Sequence, residues 1–196
     1  MKLKELANIS TGYSFRSKVR HDPEGQTKVI QMGDVDKYKG IMVDSLSTIA
    51  NFSPRSDRYF LNEGDIIMIS KGYNLNAYLI PEGVGKVVAV NSFIVLKVTS
   101  AKIIPAYLVW FLNAVRTQHF LKAVASGTST PSLSKRTLET VEITFPSKER
   151  QQLLCDIDQL KRKEINLHKQ VAQKKKKLID VMLQQQADKW KPNNTN

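Results

Sequence analysis

Several groups of residues in this sequence resemble parts of catalytic sites, but each group is incomplete. Asp65 and Lys71 lack the further clustered acid that a magnesium-dependent nuclease needs. The run Gly-Val-Gly-Lys at residues 83–86 lacks the remaining glycines and the hydroxyl residue of a phosphate-binding loop. The cofactor-binding glycine loop and the aromatic-containing tetrapeptide of a methyltransferase are also missing. The histidines are scattered without metal-ligand spacing, at His21, His119 and His168. The sequence therefore predicts a binding protein with no catalysis and no metal site of its own.

Two loops combine the residue types that contact nucleic acids. Residues 10–18 contain a glycine, hydroxyl side chains, two aromatic residues and two cations, and Arg20 follows just beyond. Residues 71–76 contain a cation, an aromatic residue and two amides. Such mixtures suit contact with phosphates and base edges. For the first loop, an ordinary polar surface loop is an equally good interpretation.

The composition indicates a basic globular protein. The 196 residues carry a net charge of +12 with a pI near 9.8, and 41% of them are hydrophobic. This charge favours a polyanionic partner, most often nucleic acid, with non-specific stickiness as the alternative. The single cysteine, Cys155, excludes an internal disulfide and a cysteine metal cluster, and we expect it to be a packing residue. Since the N-terminus lacks an apolar signal segment, we expect a cytoplasmic protein.

The last quarter of the chain predicts one long helix. Residues 147–187 contain no proline and no glycine. Apolar residues recur at alternating spacings of four and three, which is the pattern of a coiled-coil seam. They are Leu153, Ile157, Leu160, Leu167, Val171, Leu178 and Val181. Two seam positions are polar, Glu164 and Lys174. The seam indicates a partner helix; the alternative is a helix that folds back on its own domain.

The preceding residues predict a head of mixed strands and helices. Pro105 begins a predicted helix that runs to about residue 115 and continues over 117–124, and Ser134 caps a short helix over 135–139. Strands are predicted at residues 28–32, 66–70, 86–90, 93–98 and 141–145, with 66–70 buried on both faces, and residues 41–49 are expected to hold another short strand. The expected fold class is α/β (α+β), with a head at 1–146, the long coiled-coil helix at 147–190 and a polar tail at 191–196.

Four short motifs occur in an order that resembles a known family. They lie at residues 10–16, which include Gly12-Tyr13-Ser14-Phe15-Arg16, at 29–35 (Val-Ile-Gln-Met-Gly-Asp-Val), at 61–67 (Leu-Asn-Glu-Gly-Asp-Ile-Ile) and at 127–135 (Gly-Thr-Ser-Thr-Pro-Ser-Leu-Ser-Lys). The run Glu-Arg-Gln-Gln at 149–152 then opens the long helix. Over nearly the whole chain this succession resembles a target recognition domain and spacer helix of the specificity subunit of type I restriction–modification systems.

The resemblance implies a mixed α/β head that reads one half of a bipartite DNA sequence. It also implies helices that space two heads and dock modification subunits, which bind S-adenosylmethionine and methylate adenine; no cofactor is expected on this chain. A restriction subunit is a further candidate partner. The usual family member has two recognition domains and two spacer helices, whereas this sequence has one of each. It is therefore either a half-length subunit or a fragment.

The sequence as a whole is interpreted as a non-catalytic, sequence-specific DNA-recognition subunit that holds a methyltransferase on its site. A coiled-coil adaptor whose basic charge is incidental is the alternative, and the missing acid cluster disfavours a stand-alone nuclease. The residues expected to contact DNA are Tyr13, Arg16, Lys18, Arg20, Lys71, Tyr73, Asn74, Asn76, Lys135 and Arg136.

The two polar seam positions predict an antiparallel homodimer. In an antiparallel pair, residue i meets residue j with a constant sum, and a sum of 338 places Glu164 opposite Lys174 of the second copy. The same register places apolar seam residues opposite each other, Leu167 with Val171, Leu160 with Leu178 and Ile157 with Val181. A shift by one heptad would set a charged residue against an apolar one. The alternative is that Glu164 and Lys174 face solvent or another protein.

Overall fold

The structure is a computed structural model, and it describes residues 1–50, 52, 57–127 and 130–190. Residues 54–56 of a loop predicted at 54–58, Thr128 and Ser129 of the fourth motif, and the predicted polar tail at 191–196 lie outside the described residues. The chain forms two compact units, Met1–Asp158 and Gln159–Asn196. The predicted boundary between a head at 1–146 and a helix at 147–190 remains a prediction about domain organisation.

The described residues contain nine strands and four α-helices. The strands are β1 (Ala7–Thr11), β2 (Thr27–Ile30), β3 (Val35–Asp36), β4 (Gly40–Ile41), β5 (Ser47–Ile49), β6 (Ile66–Ile69), β7 (Ala77–Leu79), β8 (Val87–Ala89) and β9 (Phe93–Val98). The helices are α1 (Pro105–Asn113), α2 (Val115–Val124), α3 (Lys135–Glu139) and α4 (Lys148–Lys189). Short 3-10 helices lie at Leu3–Glu5, Met32–Asp34, Val43–Ser45 and Asp57–Tyr59. The mixed α+β fold with a long C-terminal helix confirms the predicted fold class.

A four-stranded antiparallel sheet lies at the centre of the first unit, in the order β1-β9-β6-β7. Ile66 and Met68 of β6 point into one core, where helices α1, α2 and α3 also pack. Ile67 and Ile69 point into a second core, shared with β8 and the loops around it. Strand β6 is therefore buried on both faces, as its continuous apolar run predicts.

The second sheet has three strands in the order β5-β2-β8. Strand β2 pairs antiparallel with β5 and parallel with β8. Strands β3 and β4 form a separate antiparallel pair. Residues 41–49, expected to hold a short strand, contain β5, together with the end of β4 and a 3-10 helix.

The strand predicted over residues 141–145 is wrong, although the alternating burial that suggested it is present. Val141 and Ile143 are buried, whereas Glu142 and Thr144 are exposed. The segment makes one isolated bridge, between Glu142 and Lys2. The N-terminal segment that contains Lys2 cannot extend this pairing, because it turns into a 3-10 helix at Leu3. Burial on one face therefore occurs here without a hydrogen-bonded ladder.

The predicted starts of helices α1 and α3 are confirmed. Pro105 occupies the first turn of α1, and the Ser134 hydroxyl accepts a hydrogen bond from the Thr137 amide at 3.0 Å, which caps α3. The Asn113 side chain, at the end of α1, both accepts from and donates to the backbone of Ala77 at 2.8 Å. This amide covers part of the open edge of β7, a strand that the sequence reading did not identify.

The first turns of α4 are fixed to the first unit by a buried glutamine. Gln151 is fully buried, and its Oε1 atom accepts a hydrogen bond from the Ile104 amide at 2.9 Å. Its Nε2 atom donates to the carbonyl oxygens of Lys102, at 3.0 Å, and Pro146, at 2.9 Å. One side chain thus joins the helix to the segment before it and to the loop that precedes α1.

Cys155 lies one helical turn further on and packs against the core of the first unit. Burial raises the pKa of its thiol, and the carboxylates of Asp156 and Asp158 raise this pKa further. The thiol therefore stays protonated at neutral pH, as an unreactive packing residue does. This confirms the expected role of Cys155.

Replacement of Gln151 tests the anchoring of α4. We expect Gln151→Leu to lower the free energy of unfolding by about 2 kcal/mol or more, because the Ile104 amide and two carbonyls lose their partner. The adjacent Gln152 is exposed and bonds to Asp156 within the helix. Gln152→Leu is the matched control and should change stability by less than about 0.5 kcal/mol. Equal denaturant midpoints for the two variants would contradict the anchoring role.

Candidate nucleic-acid interface

The two predicted binding loops leave the central sheet at the same edge. In the strand register, Thr11 at the end of β1 lies opposite Ile94 near the start of β9. Ile69 at the end of β6 lies opposite Phe93. The end of β6 also pairs with the start of β7, so the loops after β1, after β6 and before β9 must meet. We call this side of the sheet the loop edge.

A third loop, before α3, is joined to the loop at 71–76 by backbone contacts. Lys71 and Ser132 form a β-bridge. The amide of Gly72 donates to the Pro131 carbonyl at 2.8 Å, and Leu133 donates to the Ser70 carbonyl at 2.8 Å. Gly72 has a φ of +98°, a conformation that side chains disfavour. The fourth sequence motif is therefore a structural partner of the loop after β6.

The loop after β6 is held by one apolar residue and presents polar residues around it. Leu75 is fully buried in the core, and its carbonyl accepts a hydrogen bond from the Gln118 side chain at 2.8 Å. Tyr73 is 66% exposed and Asn74 is also exposed. Asn76 is half-buried, and its carbonyl accepts from the amide of Ile69. The fixed backbone thus presents an aromatic ring and an amide side chain at the loop edge.

Two predicted cations stand beside this loop at the start of α3. Lys135 and Arg136 are both exposed and follow the capping residue Ser134 directly. The Lys135 Nζ atom lies 3.5 Å from a Glu139 carboxylate oxygen, one helical turn away. The cap fixes where the helix begins, and so it also fixes the positions of both cations.

The first loop begins with a close backbone approach that requires glycine. A Cβ atom on Gly12 would lie 2.2 Å from the carbonyl oxygen of Val90. The next amide, of Tyr13, donates to the Ala89 carbonyl at 2.8 Å. The Asn91 side chain then donates to the Ser14 hydroxyl at 3.2 Å. The loop is therefore fixed against the turn between β8 and β9.

That turn also connects the first loop to the second. The Ser92 carbonyl accepts hydrogen bonds from both the amide and the hydroxyl of Ser70, at 2.9 and 2.8 Å. Ser70 directly precedes Lys71. A continuous set of hydrogen bonds thus runs from Ser14 through the Asn91–Ser92 turn to the loop after β6.

Five aromatic residues form a cluster that the sequence reading did not identify. The aromatic cluster consists of Tyr13, Phe15, Phe52, Tyr59 and Phe60, and every member is half-buried. The Arg58 guanidinium lies 4.8 Å from the centre of the Tyr59 ring. The sequence shows two aromatic residues in the first loop and the run Arg-Tyr-Phe at residues 58–60, but nothing local to either segment indicates that they meet.

The predicted cations of the first loop lie apart from those of the other loops. Beyond Tyr13 the chain continues towards β5, where the Asp22 amide donates to the Thr48 carbonyl at 2.8 Å. The ring of His21 accepts a hydrogen bond there from the Thr48 amide at 3.2 Å. Along this path the side chains are exposed at Arg16, Lys18 and Arg20. The structure thus places the ten predicted residues in two groups, with Tyr13 at the loop edge between them.

The described part of the chain contains neither a candidate metal site nor a candidate membrane-spanning helix. Within it, no three histidine, cysteine, aspartate or glutamate side chains come together as a possible metal site. Nor does any helix in it combine the length and apolar character needed to cross a bilayer. The interface presents amides, hydroxyls, aromatic rings and cations.

Comparison with known protein families identifies the family of this chain. A family model described as "Type I restriction modification DNA specificity domain" matches residues 1–176. The chain belongs to this family. Among curated proteins no sequence matches it.

Three solved structures share the fold of this type I specificity domain. A structure reported for complex assembly and conformational transition of the type I restriction–modification system matches with a TM-score of 0.71 and 18% identity, over 100% of this chain and 50% of that one. The S subunit from M. genitalium has a TM-score of 0.55 and 18% identity, over 80% and 37%. The HsdS subunit from Thermoanaerobacter tengcongensis has a TM-score of 0.57 and 15% identity, over 86% and 38%. The chain thus spans half or less of the length of these relatives.

Proposed function

We propose that this type I specificity domain recognises DNA by sequence and directs a separate adenine methyltransferase subunit to its site, with no catalysis of its own. The observation that carries the proposal is the convergence of three loops at the loop edge of a chain that belongs to a DNA specificity family. The net charge of +12 supplies the attraction to phosphate that DNA binding needs.

The residue types at the loop edge suit two roles, contact with the phosphates, which positions the protein, and contact with base edges, which reads the sequence. An asparagine amide can form two hydrogen bonds with an adenine edge, and arginine can do the same with guanine. Asn74, Asn76 and Arg136 are the corresponding side chains. Lysines mainly meet phosphates, which places the protein without reading sequence, and this is the role we assign to Lys18, Lys71 and Lys135.

The proposed partners of α4 follow from its exposed apolar seam. The seven apolar seam residues are 45 to 66% exposed. Burying them needs another helix, and two copies of the chain would supply it in antiparallel orientation with Glu164 opposite Lys174. Such a dimer would carry two heads and read a palindrome split by a spacer. It would dock the modification subunit, and in some assemblies a restriction subunit.

The first test of this proposal is sequence-dependent DNA binding in varied salt. After selection of a preferred sequence from a random duplex library, Asn74→Ala and Asn76→Ala should each weaken its binding by about 1–3 kcal/mol and relax the preference. Lys18→Ala should weaken all sequences alike and lower the salt slope by about one. Lys102→Ala is the control, because this exposed lysine follows the end of β9 that lies opposite the loop edge. Unchanged affinity and preference in every variant would reject the assignment and favour the adaptor alternative.

A second test asks which subunit carries out methyl transfer. Mixed with S-adenosylmethionine and its DNA, the isolated chain should transfer no methyl groups, because it lacks the glycine loop and the catalytic tetrapeptide of a methyltransferase. Addition of the modification subunit should start methyl transfer to adenine. Binding of S-adenosylmethionine to the isolated chain, measured by calorimetry, is the result that contradicts this view.

The antiparallel register is tested by a charge exchange on α4. Glu164 is exposed and lies 3.9 Å from His168 on its own helix, so the substitution leaves no buried gap. Glu164→Lys should disrupt dimers in sedimentation experiments, and adding Lys174→Glu should restore them. Lys175→Glu, added instead, changes charge equally beside the seam and should not restore them. A dimer that survives the single change rules out the register.

A further inference from the structure

A cleft beside the aromatic cluster combines an apolar wall with two cations. The Phe15 cleft has a volume of about 390 Å³ and is lined by Phe15, Ser17, Lys18, Val19, Arg20 and Ile49. Its apolar residues, Phe15, Val19 and Ile49, are half-buried. The lysine, arginine and serine are exposed. A complementary ligand therefore has an apolar group next to hydrogen-bond acceptors or a negative charge.

The apolar wall is rigid because Phe15 is packed into the aromatic cluster. Its ring centre lies 4.8 Å from that of Tyr13, in an edge-on arrangement, and 5.6 Å from that of Phe52. Tyr13 also contacts Tyr59 at 5.1 Å, and its amide is bonded to β8. A ring held in this way loses little conformational freedom when a ligand binds. The cleft is thus prepared for contact, and the ring contact between Phe15 and Tyr13 joins its wall to the loop edge.

The side chains that line the cleft complement the major-groove edges of the four DNA bases to different degrees. Adenine and cytosine present amino groups, which need an acceptor. Among the described residues that line the cleft, Ser17 is the one side chain that can accept, and there is no amide or carboxylate. Guanine presents two acceptors but no apolar group, so it would leave the wall unused. Thymine presents a methyl group beside an acceptor oxygen, which matches the apolar wall and the cations together.

We propose that the Phe15 cleft reads a thymine, a site that adds a specificity determinant to the proposed DNA recognition and depends on that function. The 5-methyl group lies against Phe15, Val19 and Ile49. Lys18 and Arg20 donate to the O4 atom or to an adjacent phosphate. Phe15 is therefore a base-reading residue, although it carries no hydrogen-bonding group.

Removal of single methyl groups from the DNA tests this site directly. In the preferred sequence of the wild-type chain, each thymine is replaced in turn by deoxyuridine, and affinity is measured by fluorescence anisotropy. We expect one position to bind about fourfold more weakly, as the loss of about 0.8 kcal/mol for one buried methyl group requires. In Phe15→Ala the same replacement should have a much smaller effect, because the largest of the three side chains against the methyl group is gone.

Two further variants separate the contact from general damage to the fold. Val19→Thr is nearly isosteric and makes the cleft wall more polar, so the deoxyuridine effect should shrink even if Phe15→Ala is too unstable to measure. Phe60→Ala removes another ring of the aromatic cluster that does not line the cleft, and it should retain the full effect.

The outcomes distinguish this site from the proposed function. If the wild-type protein shows sequence preference but no deoxyuridine position responds to Phe15 or Val19, the thymine site is rejected and DNA recognition stands. A position where 7-deazaguanine weakens binding in the wild type, but not in Arg20→Ala, would identify guanine and also reject it. Absence of any sequence preference in the wild type would reject both proposals.

Discussion

The burial of β6 and β9 on both faces is the constraint on which the first unit depends. Alternate side chains of β6 and of residues 93–96 in β9 enter two separate cores, and all of these residues are apolar. The polar residues of this part of the chain are therefore confined to the ends of the strands. Because the sheet is antiparallel, the loop after β6 and the turn before β9 emerge at the same edge. The loop edge is thus a consequence of the buried sheet.

Backbone contacts support the loop edge and leave several side chains available. The Gly72 amide to the Pro131 carbonyl, the Leu133 amide to the Ser70 carbonyl and the Tyr13 amide to the Ala89 carbonyl do not depend on the identity of the side chains. Three residues are exceptions: Leu75 fills the core, Gly12 permits a close approach and Gly72 adopts a φ of +98°. Residues such as Asn74 can therefore change without disturbing the framework.

The sequence predicts features whose cause is local and misses those whose cause is distant. The double burial of β6, the capping by Ser134, Pro105 at the start of α1 and the long helix each follow from a few adjacent residues. The strand at 141–145 was wrong because its neighbour turns away at Leu3, which no pattern within 141–145 records. The aromatic cluster was missed because Tyr13 and Tyr59 meet only after β1, β8 and the intervening chain are placed. The loops that carry the candidate binding residues were therefore predictable, but the grouping of these residues was not.

The second unit presents a different physical problem, because its apolar residues remain exposed within the chain. A two-stranded seam uses two apolar positions per heptad, and the predicted seam fills these positions with few exceptions. Near the end of α4, three further exposed apolar residues widen the stripe: Ile179, Met182 and Leu183. One partner helix packed on the seam would leave part of this wider stripe in water. In the proposed complex, the seam residues along the whole stripe suit self-pairing, in which Glu164 and Lys174 define direction. The additional residues beside the seam, Ile179, Met182 and Leu183, provide apolar area for another protein partner.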